Sequence, residues 1–128
     1  RVCPTKATFQ NKQGIVGMDM HRCIGCRNCM AACPYGARSF NYVDPRKYLD
    51  EINPSYPTRM KGVVEKCNFC SELVAQGKQP ICAEIAKEAI TFGDISDPNS
   101  MVSKKIAQNF TLQRKTNLGT KPKVYYIV

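Results

Sequence analysis

No run of apolar residues in this 128-residue sequence approaches the roughly 20 needed to carry a helix through a hydrocarbon core, which excludes such a span from these residues. Nor does it hold a nucleophile paired with a base, a phosphate-cradling loop or an open metal site, so it offers no recognisable catalytic constellation. Acids are scarce: 10 Asp and Glu stand against 19 Lys and Arg, for a formal net charge of +9. After Asp97 there are six Lys or Arg and no acid at all. That stretch is a candidate docking surface for an acidic partner or an anionic lipid face, with a merely solvated basic tail as the alternative. A nucleic-acid role is disfavoured because no basic groove motif frames the aromatic residues.

Cysteine, in contrast, is abundant. Eight occur, with 8 Gly and 8 Pro, which suggests a loop-rich body held by inorganic cores in place of much of a hydrophobic one. The stretch "CIGCRNCMAACP" places Cys23, Cys26, Cys29 and Cys33 within eleven residues and closes on Pro34. In the C-x2-C-x2-C-x3-C-P pattern the first three thiolates wrap one cubane, and the fourth ligates a different cluster. Four disulfides are disfavoured because the crowded triplet suits disulfide geometry poorly. A zinc ribbon built on the pairs 23/26 and 67/70 leaves Cys29, Cys33 and Cys82 without a role.

A partner run is half visible at the start. "CPTKATF" (Cys3 to Phe9) parallels "CPYGARSF" (Cys33 to Phe40) with one residue inserted, as expected of a duplicated module. By the crossing rule Cys3 completes the cluster of Cys23, Cys26 and Cys29, while Cys33 serves a cluster whose other ligands lie outside these residues. The sequence opens at Arg1, inside a motif and without an initiator methionine, and reads as the C-terminal part of a longer protein. A third constellation, C-x2-C-x11-C at Cys67, Cys70 and Cys82, predicts another cluster. Its expected fourth cysteine is Ala86, at the head of "AKEAITF", a further parallel of "CPTKATF". Position 86 should serve a cluster nucleated upstream, which is then three-iron, differently ligated or absent. Cys67, Cys70 and Cys82 would take their own fourth ligand from outside this chain.

Residues 8–20 read as a hairpin turning at Asn11–Gly14. "CRNCMAAC" reads as a short helix with its thiols inward, and 71–76 as a helix stopped by Gly77 that brings Cys82 back to the pair. Residues 35–60, with Tyr42, Tyr48, Tyr56 and several prolines, read as an ordered loop whose aromatics pack on a partner or a cluster module. Met101, Val102, Ile106 and Phe110 predict one face of a core helix, and "VYYIV" a terminal strand or docking arm. Gly25 is expected to permit close backbone approach, and His21, the only histidine, to shield or tune a cluster rather than ligate it. The fold class expected is α+β: ferredoxin-like repeated cluster-binding modules, loop-rich, with a C-terminal extension. The divisions are a module at 1–43, a Pro/Tyr-rich insertion at 44–62, a second cluster-binding segment at 63–95 and a basic docking extension at 96–128.

"VCPTKATF", "RCIGCRNCMAACPYGARSF", "KCNFC" and "GTKPKVYYIV" resemble the four-cluster ferredoxin-type subunits of membrane oxidoreductases, such as those of polysulfide, tetrathionate and nitrite reductases. Within that family "CPYGARSFNYVDPRKYL", "INPSYPTRMKGVVEKCNFC" and the "FGDISDPNS" to "LGTKPKVYYIV" tail are most similar to the DsrO-type subunits of the DsrMKJOP complex of dissimilatory sulfur metabolism. The resemblance implies at least three [4Fe-4S] clusters in the intact protein, on Cys3/Cys23/Cys26/Cys29, on Cys33 and on Cys67/Cys70/Cys82, with the site Ala86 would have served in doubt. It implies an NrfD-like integral membrane subunit that interacts with a quinone such as menaquinone, a multihaem cytochrome c, further complex subunits, and a peripheral place on the periplasmic or extracytoplasmic face. The function expected is relay of single electrons without substrate chemistry. The alternatives are the electron-transfer subunit of a soluble molybdopterin or formate oxidoreductase and a zinc-stabilised nucleic-acid-binding module.

Overall fold

A computed structural model describes residues 2–54 and 58–128, so Tyr56 and Pro57 of the insertion lie outside the described residues. The chain divides into two compact units, Arg1–Lys78 and Gln79–Val128, a boundary inside the 63–95 segment. Short strands and helices are mixed throughout, as expected of an α+β ferredoxin-like body.

In the first unit, β1 (Thr8–Gln10) pairs antiparallel with β2 (Val16–Met18), Thr8 opposite Met18 and Phe9 opposite Gly17. Asn11 makes the turn, its Oδ1 accepting from the amides of Gln13 (3.0 Å) and Ile15 (2.8 Å), as the hairpin reading anticipates. Below the hairpin the Asp19 amide donates to Ala7 O at 2.8 Å, and Ala7 is fully buried. The chain passes through the cysteine loop into α1 (Asn28–Ala32), shorter than the expected Cys26–Cys33 helix, with Cys26 outside it and exposed instead of turned inward.

β3 (Ser39–Phe40) then pairs antiparallel with β4 (Val64–Glu65). Two more bonds lengthen the ladder, Asn41 N to Val63 O (3.0 Å) and Gly62 N to Asn41 O (2.8 Å), so the insertion is a loop closed at its base. Val63 and Val64 beneath this closure are buried. Inside the loop a 3-10 turn, Pro45–Tyr48, is capped by Asp44, whose carboxylate takes the Arg46 amide and its guanidinium. Tyr42 meets Phe40 edge-on, yet both Tyr42 and Tyr48 are exposed.

α2 (Ser71–Val74) ends where Gly77, at φ +74°, donates to Val74 O and Lys78 donates to Leu73 O. This is the glycine-terminated double bond that stops a helix.

The second unit opens with α3 (Ile81–Ala86), which buries Ala83, and a 3-10 turn at Lys87–Ala89. α4 (Met101–Gln108) is capped by Ser100 Oγ, which accepts from the Ser103 amide at 3.1 Å. β5 (Thr111–Leu112) pairs antiparallel with β6 (Tyr126–Ile127), giving the terminal strand a partner.

The core-helix expectation needs correction. α4 has no buried residue, Phe110 lies beyond its end, and Met101 and Phe110 are 65% and 72% exposed. Of the four, Val102 and Ile106 are half-buried, and Phe110 drops out of the stripe because the helix stops at Gln108.

Candidate iron-sulfur site

Two turns of the same make begin the two Cys-Pro segments. Lys6 N donates to Cys3 O and Gly36 N to Cys33 O, both at 3.4 Å, and Lys6 and Gly36 both take left-handed φ, +55° and +63°. Each turn folds the following amides back over the thiol that precedes it. The amide of Thr8, then the Thr5 hydroxyl, with smaller help from the Thr5 and Ala7 amides, lowers the Cys3 thiol to about 7. At Cys33 burial acts to raise the thiol, but the amides of Ala37, Tyr35 and Gly36 and the charge of Arg38 outweigh it and hold it low. Such N–H donors favour the thiolate, the form that binds metal.

The triplet loop is docked on the β3–β4 ladder. The Val64 amide donates to Cys23 Sγ at 3.5 Å, and the Arg27 guanidinium lies 5.3 Å from the centre of the Phe40 ring. Gly25, at φ +68°, lies so close to Gly62 that an added Cβ would overlap the Gly62 carbonyl oxygen and sit 3.2 Å from the Phe40 ring. The glycine thus permits the close approach its sequence position suggests. Cys26 is exposed at the tip, and Cys29 is half-buried in α1.

Cys3, Cys29 and Cys33 line one cavity of about 320 Å³ with Val2, Thr8, Ala32 and Arg38. Arg38 was not foreseen as part of this wall. Its one signal is that it is the extra residue by which "CPYGARSF" exceeds "CPTKATF". His21 is exposed and its amide donates to Asp19 Oδ1, away from this wall.

Cys67 accepts from the Phe69 amide at 3.4 Å, and Cys70 caps α2 with left-handed φ of +49°. Both belong to the first unit; Cys82 lies in the second, in α3, one helical turn before Ala86.

The donor set suits an iron-sulfur cubane. All eight cysteines are free thiols. A cubane takes one thiolate on each iron of its core, which suits the triplet spacing of Cys23, Cys26 and Cys29. Amides aimed at sulfur and a very small apolar core complete the fit.

Similarity to known proteins points the same way. Residues 15–37 match the family model described as a 4Fe-4S binding domain, so the chain is a [4Fe-4S] protein. It is 52% identical over 136 residues to the Hdr-like menaquinol oxidoreductase iron-sulfur subunit 1 of Archaeoglobus fulgidus, covering 98% of this chain and 51% of that one. It is 42% identical over 128 residues to the B component of the polysulfide reductase of Wolinella succinogenes, covering 98% and 58%. With the arsenate respiratory reductase iron-sulfur subunit ArrB of a Shewanella species it shares 35% over 159 residues, covering 99% and 68%. The chain belongs to this family of oxidoreductase iron-sulfur subunits. It spans about half the length of the first two relatives. No helix among the described residues is long and apolar enough to cross a membrane.

Proposed function

We propose that this chain is part of an electron-transfer subunit that relays single electrons between a membrane subunit acting on menaquinone and a haem c or sulfur-redox partner, as in DsrO-type complexes of dissimilatory sulfur metabolism. The observation that carries the reading is the wall shared by Cys3, Cys29 and Cys33, with backbone amides over Cys3 and Cys33 that favour thiolate. Cys3, Cys23, Cys26 and Cys29 hold one [4Fe-4S] cluster. Cys33 serves its pair, and Cys67, Cys70 and Cys82 serve a third, the missing ligands coming from outside these residues. Ala86 leaves a further site three-iron, altered or empty.

A bound cluster supplies one-electron storage without bond making or proton transfer. The chain's residues do the rest. The Thr8 amide stabilises charge on the Cys3 sulfur, the Val64 and Phe69 amides donate to Cys23 and Cys67, and buried Val63 and Val64 keep water from behind the triplet loop.

The two Cys-Pro turns support a duplicated module, and the name of the Archaeoglobus fulgidus menaquinol oxidoreductase relative supports a quinone-linked complex. The partners on this reading are an NrfD-like integral membrane subunit and a multihaem cytochrome c, with the chain peripheral at the extracytoplasmic face. The acid-free stretch after Asp97 is its docking extension. A second reading, the electron-transfer subunit of a terminal reductase, is favoured by the arsenate reductase relative; copurification with an integral membrane quinone-reactive protein decides against a soluble complex of that kind.

Iron and acid-labile sulfide analysis with low-temperature EPR tests the core claim. Cys26→Ser should lose one complete cluster signal and Cys33→Ser its neighbour's. Identical spectra for the two variants overturn the crossed ligation, and zinc without sulfide overturns the whole reading.

A further inference from the structure

We propose that Arg38 is a redox-tuning residue: its guanidinium, fixed at the wall shared by Cys3, Cys29 and Cys33, holds the reduction potential of the cluster on Cys3, Cys23, Cys26 and Cys29 above the value a neutral side chain would give. The inference rests on the ligation proposed above and adds a role to a residue outside the ligand set.

Three observations carry it. Arg38 is the residue inserted into the second Cys-Pro segment, and it reaches back to the first: Nη1 donates to Thr8 Oγ1 at 3.2 Å and lies 3.0 Å from Met18 Sδ. Thr8 and Met18 face each other across β1 and β2, so the guanidinium is clamped by one rung of the hairpin that follows Cys3. Its side chain is half-buried and lines the cavity of about 320 Å³ beside three thiols. Lastly, both acceptors are neutral and Arg38 makes no ion pair among the described residues, so its positive charge is left to act on the cavity.

Reduction adds one electron from a one-electron donor and no proton, so it places one more negative charge at the site. A fixed cation in a partly dehydrated wall favours that state, and net charge is an established lever on cluster potential. The same field is felt nearby. Lys66 is pushed below its usual range, first by its burial and then by repulsion from Arg38, and Arg38 helps hold Cys33 low.

The test is a potentiometric titration followed by EPR on the cluster-loaded holoprotein, with iron and sulfide content measured beside it. Arg38→Gln should shift the reduced-to-oxidised ratio of one cluster about tenfold toward oxidised at a fixed potential, equivalent to 59 mV for a one-electron couple. Arg38→Lys should retain most of the parent value. An unmoved potential in fully loaded Arg38→Gln overturns the proposal while leaving the ligation intact, and an equal drop in Arg38→Lys overturns charge as the cause. Arg38→His switches the charge within one folded protein. Its potential should fall between about pH 5 and 8 more steeply than the parent's. A pH response the same as the parent's overturns the proposal even if Arg38→Gln cannot be loaded.

Discussion

At the scale of single residues, the site is shaped by what glycines and amides leave out or point inward. Gly25 has two reasons to be glycine, a φ of +68° and the Gly62 carbonyl where a Cβ would go, while Gly36 has only the first, with open space around it at φ +63°. The left-handed conformation alone costs a substituted residue about 1–2 kcal/mol, and forced overlap adds about 1–3 kcal/mol. Gly25→Ala should therefore destabilise the loaded protein by about 2–5 kcal/mol and Gly36→Ala by about 1–2 kcal/mol, read from urea midpoints. Equal losses would show that the triplet loop does not depend on its contact with Gly62. Gly25 was legible in the sequence, since a side-chain-free residue inside a cysteine triplet has few other uses. Arg38 was legible only as a length difference between two segments, because its partners Thr8 and Met18 are remote in sequence and neither is charged.

At the scale of elements, local chemistry was readable and remote pairing was not. The Asn11 turn and the Gly77 stop follow from residues within a few positions of each other, so the β1–β2 hairpin and the end of α2 could be read directly. The strand partners β3 with β4 and β5 with β6 have no such signature, since each two-residue strand is defined by a partner far along the chain. α4 is short and mostly exposed, so its cap matters more than its stripe. Ser100→Ala should cost about 1 kcal/mol through loss of the bond to the Ser103 amide. Thermal unfolding followed by amide exchange in residues 101–108 checks this, and unchanged protection there would mean that the bonds from Ser103 Oγ to the Ile95 and Asp94 carbonyls anchor the helix alone.

For the molecule as a whole, the small core decides the behaviour. The buried apolar side chains among the described residues are Ala7, Val63, Val64, Pro80 and Ala83, too few to offset the ordering of a chain of this length. On the cluster reading, bound metal supplies the stability this core lacks, as it does in small domains whose metal binding is also their folding. Stripping iron with a chelator under oxidising conditions should therefore abolish cooperative unfolding and expose the thiols together. A melt that stays cooperative after complete iron loss would show that the packing of Val63 and Val64 suffices.

The closed base of the insertion has one more consequence. Because Asn41 and Gly62 are joined by their own backbone bond, extra residues between them change mainly the entropy of a loop whose ends are already fixed. Each doubling of such a loop costs only about 0.6 kcal/mol. The segment is thus a place where the protein can acquire new length over evolutionary time, or accept a grafted tag or reporter, without re-registering the strands that hold the triplet loop.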